Sequence, residues 1–170
     1  MKRIFVLLLF IFLKAASSSA QQKDYQNDVK SVDGIISALY SAISGDPGQP
    51  RDWNRFRNLF KPEMKLIPTR KNETGELTIK ALAPEEYIEL FSTRISGGFF
   101  EKEIHRVTES YGTVTHVFST YETKGKKDGP VTNRGINSIQ LFHDGQRYYV
   151  ITIFWCAESM GYALPEKYLK

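Results

Sequence analysis

Histidine, carboxylate and a single thiol are the side chains here that could do chemistry. His105 and His116 lie in neighbouring segments rich in β-branched and aromatic residues. A neutral imidazole takes up or gives up a proton near pH 7, so the pair is the first candidate for general acid–base work. Their relation hangs on one connection. If Tyr111-Gly112 alone makes the turn, His105 pairs with Phe118 and stands beside His116 on one face. If Ser110 joins the turn, the two rings point to opposite faces. His143, beside Asp144-Gly145, reads as an exposed turn residue. Glu101, Glu103 and His105 alternate and would share one face of a strand. Alternating charge usually marks the solvated side of a strand, so no metal site is assigned. There is no Gly-x-Ser-x-Gly nucleophile elbow and no phosphate-cradling glycine loop, and no cofactor is expected. Cys156 is the only cysteine, so no internal disulfide can form. It sits in an apolar segment and reads as a small buried hydrophobe.

These residues need elements to hold them. Between residues 27 and 44 the apolar positions Val29, Val32, Ile35, Ile36, Leu39, Tyr40 and Ile43 follow helical spacing with one buried stripe. Gly45-Asp46-Pro47-Gly48-Gln49-Pro50 breaks that helix. Asp52 can cap a short second helix carrying Trp53, Phe56, Leu59 and Phe60, which Pro62 ends. Residues 64–67 and 77–82 read as short strands. Pro84 opens a third helix with Glu85 and Glu86 at its positive end, and Gly97-Gly98 stop it. Segments 99–109, 113–124, 131–142 and 147–156 read as four strands joined by short polar turns, an antiparallel meander.

The turn at Asp144-Gly145 predicts side-chain partners. As a two-residue hairpin turn it sets Asn137 opposite Thr152, Ile139 opposite Val150 and Leu141 opposite Tyr148. That side is apolar apart from Asn137 and Thr152, and it is expected to face the helices. The other side, with Arg134, Ser138, Gln140 and Arg147, suits a face shared with a second copy of the chain.

Residues 1–20 have the layout of a secretory signal peptide. Met1-Lys2-Arg3 is a positive start, residues 4–13 are an apolar run, and small residues precede a cut after Ala20. The run is shorter than the roughly 20 residues a spanning helix needs. Residues 21–26 are expected to be flexible and 27–170 to form one domain. The whole chain has 23 basic and 19 acidic residues. Removing Lys2, Arg3 and Lys14 leaves 23 − 3 = 20 basic against 19 acidic, a net charge of +1. Such a domain has no electrostatic footprint for nucleic acid or an anionic membrane. The expected location is therefore periplasmic or secreted.

Pro84-Glu85-Glu86-Tyr87, Gly98-Phe99-Phe100-Glu101, residues 134–141 and residues 147–151 with Trp155 together resemble SnoaL-like members of the nuclear transport factor 2-like superfamily. The likeness runs over nearly all of residues 27–158. It implies an α+β fold: a cone-shaped, strongly curved antiparallel sheet wrapped around three helices from the N-terminal half. Isomerase-like members use an aspartate base near the strand after the second helix, and Met64-Lys65-Leu66-Ile67-Pro68 has none. Dehydratase-like members use pocket histidines and tyrosines, which here implies His105, His116 and Tyr40.

The resulting expectation is an exported protein that binds a small apolar or amphipathic ligand, is dimeric through its sheet face, and lacks a cofactor. The expected ligand contacts are Tyr40, Trp53, His105, Asn137, Tyr148 and Thr152. Two alternatives stay open: a lyase or isomerase using a pocket histidine as acid or base, and a non-catalytic dimeric interaction module.

Overall fold

Ser31 starts the first helix. Its hydroxyl accepts the Gly34 N–H at 3.0 Å, satisfying a donor that the first turn leaves unpaired. The computed structural model describes residues 25–169, so the expected signal segment lies outside the described residues. Helix α1 (Val32–Ile43) buries the stripe Ile35, Ile36, Leu39, Tyr40 and Ile43 as its spacing predicts. Helix α2 (Trp53–Asn58) is capped by Asp52, which accepts the Arg55 N–H at 3.1 Å. Helix α3 (Pro84–Arg94) opens on proline, and Glu86 reaches back to the Ala83 N–H at 2.7 Å. Tyr25 and Gln26 are the first two described residues. Gln26 begins a 3-10 turn, and the Tyr25 hydroxyl donates to Asp52 at 2.8 Å.

Six strands form one open sheet. They are β1 (Phe60–Lys71), β2 (Leu77–Ile79), β3 (Phe100–Tyr111), β4 (Val114–Lys124), β5 (Val131–His143) and β6 (Tyr148–Ala157), in the spatial order β2-β1-β6-β5-β4-β3. Strands β3 to β6 are the expected meander. The expectation of an all-antiparallel sheet needs correction, because β1 pairs in parallel with β6. The last strand of the meander comes to lie beside the first strand of the chain, and both run the same way. Helix α2 ends at Asn58, before Pro62, and Pro62 lies within β1 and does not end the helix. The β1–β6 register shifts between Phe60 and Lys65, where the ladder has no proline N–H to use.

The β5–β6 register also differs from the two-residue hairpin. The loop spans residues 144–147, and His143 pairs with Tyr148. The Asp144 carboxylate accepts the N–H groups of Gln146 and Arg147, both at 2.9 Å, and so closes a longer loop than the dipeptide alone implies. Gly145 sits there at φ 100°. A bulge between Gln140 and Leu141 then shifts the pairing, so Asn137 stands opposite Trp155 and not Thr152. Ile153 and Trp155 turn toward the helices, while Phe154 turns outward and is 44% exposed.

The core lies between the helices and the concave face of the sheet. Val117, Ile139 and Val150 are fully buried there against the α1 stripe. Trp53, Phe56, Tyr87, Phe91, Phe99 and Trp155 make a connected ring cluster around α2 and α3. On the convex face, residues 158–169 fold back over the strands. Arg134 pairs with Glu158 at 2.7 Å, and the Tyr168 ring packs on Phe118 at 5.2 Å between centroids. No helix among the described residues is long and apolar enough to cross a membrane.

Candidate functional site

The helices and the curved sheet leave a cavity of about 250 Å³. Tyr87 and Phe91 come from α3, Tyr121 from β4, Asn137 from β5 and Trp155 from β6, with Glu101 entering from β3. Glu101 also lines a second, more polar cleft between α1 and the β3–β4 edge. Its backbone is fixed from below. The Ser44 hydroxyl at the end of α1 accepts the Glu101 N–H at 2.9 Å.

Among the described residues, the Glu101 carboxyl makes no ion pair and no side-chain hydrogen bond. The residue is only partly buried as a whole, but its carboxyl is densely surrounded. That desolvation pushes its pKa up to about 8. Glu101 is therefore a neutral acid at pH 7 and a hydrogen-bond donor. The phenols of Tyr87 and Tyr121 are held well above their ordinary range by burial, with the Glu101 carboxylate adding to the effect. They too stay protonated.

A chain of polar groups runs from the cavity to the surface. The Asn137 Nδ2 donates to the Tyr40 hydroxyl at 3.0 Å, and Tyr40 lies 2.7 Å from the Ser119 hydroxyl. Ser119 donates to Glu103. Arg106 clamps Glu103 at 2.6 Å and reaches Asp33 at 2.7 Å. Tyr40, Ser119 and Asn137 are all nearly or fully buried.

Of the expected site residues, Tyr40 and Asn137 come together; the others do not join them. Trp53 packs edge-on against Phe91 at 5.5 Å outside the cavity lining. The Tyr148 ring lies tilted against His143, 4.5 Å between centroids, next to the hairpin loop. Thr152 stands opposite Gln140 on the convex side, because the bulge reverses its facing. His105 and His116 do share a face, through neither of the two expected turns. Tyr111 pairs with Val114, the unbroken register from that turn sets His105 opposite Thr120, and only beyond it does a bulge at Ile104 shift the pairing. That face is the convex one. His105 lies near Tyr168, and His116 bonds Ser138 at 3.1 Å. Neither ring can serve the cavity. The same bulge separates His105 from Glu101 and Glu103, which turn inward. Cys156 is partly buried beside the C-terminal segment. No group of three or more potential metal ligands occurs among the described residues.

Sequence reasoning missed Glu101, Glu103, Arg106 and Ser119. The available signal was the pair Glu103 and Arg106. Three apart on a regular strand they would face opposite ways, so an ion pair between them requires a bulge.

No family model matches the chain, and no curated protein matches it. Several solved structures do. One is proposed to be the beta subunit of an aromatic-ring-hydroxylating dioxygenase, from Novosphingobium aromaticivorans. It superposes with a TM-score of 0.56 at 11% identity, over 75% of this chain and 88% of that one. A protein of unknown function with a cystatin-like fold from Nostoc punctiforme gives 0.55 at 12% identity, over 72% and 86%. LinA gives 0.52 at 9% identity, over 71% and 79%. At such identities the likeness is one of fold. The helices packed inside an open, strongly bent six-stranded sheet are the nuclear transport factor 2-like fold, and this chain has it.

Proposed function

We propose that this is an exported pocket protein that holds a small, largely apolar, ring-sized molecule in its cone, with Glu101 as the polar anchor. The observation that carries the reading is an unpaired carboxyl opening into an aromatic cavity. A carboxyl largely shielded from water and without a protein partner gains a hydrogen bond when a ligand atom meets it. The size fits. A dry cavity of about 150 Å³ takes benzene, so about 250 Å³ suits one ring with a substituent or two. Below about pH 8 the neutral Glu101 donates to a carbonyl or ether oxygen.

Acetophenone tests this, followed by tryptophan fluorescence. Its affinity is expected to be flat from pH 5 to pH 7 and to fall as Glu101 ionises. Glu101→Gln keeps the donor and removes the pH dependence. Tighter binding of benzylamine than of acetophenone at pH 7 would mean that Glu101 is charged, and the anchor role would be wrong. If neither binds, the pocket reading falls.

A second reading rests on the same carboxyl. An acid with a pKa near 8 is suited to proton transfer at neutral pH. In that reading Glu101, and not a histidine, is the acid–base group. The protein would then exchange the methyl protons of acetophenone with deuterium, as followed by proton NMR, and Glu101→Gln would not.

Export and self-association complete the proposal. Mature protein isolated from its host should begin at Gln21. The convex sheet face left uncovered by residues 158–169 would pack against a second copy, so light scattering should give twice the mass of the mature chain.

A further inference from the structure

The polar chain behind the cavity has a direction, and that direction selects a ligand class. A carboxylate can only accept hydrogen bonds. Glu103 is ion-paired with Arg106 through one oxygen and accepts from the Ser119 hydroxyl through the other. Ser119 has then used its only proton, so toward Tyr40 it must accept, and Tyr40 must donate. Tyr40 has in turn used its proton, so toward Asn137 it must accept. This fixes which way the Asn137 amide is turned: Nδ2 faces Tyr40, and Oδ1 is left over. Asn137 is 6% exposed and lines the cavity, and nothing else bonds its amide among the described residues.

We infer that the cavity is built for a ring-sized molecule carrying both a hydrogen-bond acceptor and a hydrogen-bond donor, the acceptor for Glu101 and the donor for the Asn137 Oδ1. This rests on the pocket reading and sharpens it. A hydroxylated aryl ketone or a cyclic amide belongs to that class; a plain hydrocarbon or a simple ketone does not. Tyr40, Ser119 and Glu103 act as positioning residues. They do not reach the ligand but decide whether Asn137 offers it an oxygen or an N–H. An asparagine free to flip would take either kind of partner. Here the Glu103–Arg106 ion pair at the end of the chain removes that freedom.

The test compares 4-hydroxyacetophenone with 4-methylacetophenone by titration calorimetry at pH 6, where the hydroxyl is neutral. The two differ only in a donor replaced by a methyl of similar size. The expected result is binding of the hydroxy compound about tenfold tighter, the effect of one buried hydrogen bond made or lost. In Glu103→Gln the terminus can donate as well as accept, so the whole chain can reverse and Asn137 can present Nδ2. The ratio should fall to about one. Tyr40→Phe cuts the chain and should do the same. If Tyr40→Phe fails to fold, Glu103→Gln, at the solvent end, carries the test. Equal affinities in the unaltered protein would overturn this inference and leave the pocket standing. A tenfold ratio that survives both substitutions would overturn the role of the chain. If neither ketone binds, the pocket reading itself fails and takes the inference with it.

Discussion

The two faces of β4 and β5 carry similar residue types with different fates. On the concave face, Ser119 and Asn137 pair across the strands, and with Tyr40 they form one directed hydrogen-bond chain. On the convex face, His116 and Ser138 share a single bond beside the folded-back C-terminal segment. Arrangement makes the difference. On the concave side Tyr40, Ser119 and Asn137 stand within reach of one another and become linked and oriented, whereas on the convex side the equally buried Thr120 hydroxyl has no protein partner among the described residues. Where water or a covering segment is at hand, a histidine can sit beside a serine and impose nothing further.

That contrast can be broken in several ways. The largest effect is expected in the core. Ile139→Ala, at a fully buried concave position, should lower stability by about 2–5 kcal/mol, while Phe154→Ala on the convex face should cost about 1 kcal/mol or less by urea denaturation. Next comes Gly135→Ala. A methyl there would lie 2.5 Å from both the Cys156 carbonyl and the Tyr121 hydroxyl. The backbone oxygen cannot yield, so a loss of about 1–3 kcal/mol is expected, together with displacement of Tyr121 into the cavity and weaker acetophenone binding.

The third effect depends on pH. The Glu101 pKa rises on folding from 4.5 to about 8. Below pH 4.5 both folded and unfolded chains hold the proton, and burial costs nothing through ionisation. As pH rises toward 8 the unfolded chain releases it first, so stability falls, and above 8 the penalty is complete. Glu101→Gln should therefore leave the thermal midpoint unchanged at pH 4 and raise it at pH 8. The gain should be on the order of 2 kcal/mol, reduced because Glu101 keeps some solvent contact. The smallest effect is expected for the histidines. His105→Ala and His116→Ala should change stability by about 0.5 kcal/mol or less and leave ring-ketone affinity unaltered. Loss of that affinity in either variant would mean that the two faces are coupled.

Much of the layout was legible. The α1 stripe, the Pro84 start of α3 and the short turns of the meander are local signals, written within one or two turns of chain. One buried polar pair was legible too, since Asn137 is an isolated polar residue in an apolar run and Tyr40 lies on the buried stripe, and the two bond each other. The rest turned on three bulges: between Phe60 and Lys65, at Ile104, and between Gln140 and Leu141. A one-residue slip exchanges the faces of everything that follows it. The slip at Ile104 put Glu101 and Glu103 on the face opposite His105, inside the cone. Another exchanged Thr152 for Trp155.

The sequence by itself determined the elements, their order and the presence of a greasy interior, because propensity, capping and periodicity act over a few residues. The tertiary structure alone decided that Glu101 lies alone in the cone, that β1 runs beside β6, and that Arg106 can reach Glu103 and Asp33. Those outcomes depend on where strands slip past one another, which is set by how distant segments pack and not by any short run of residues.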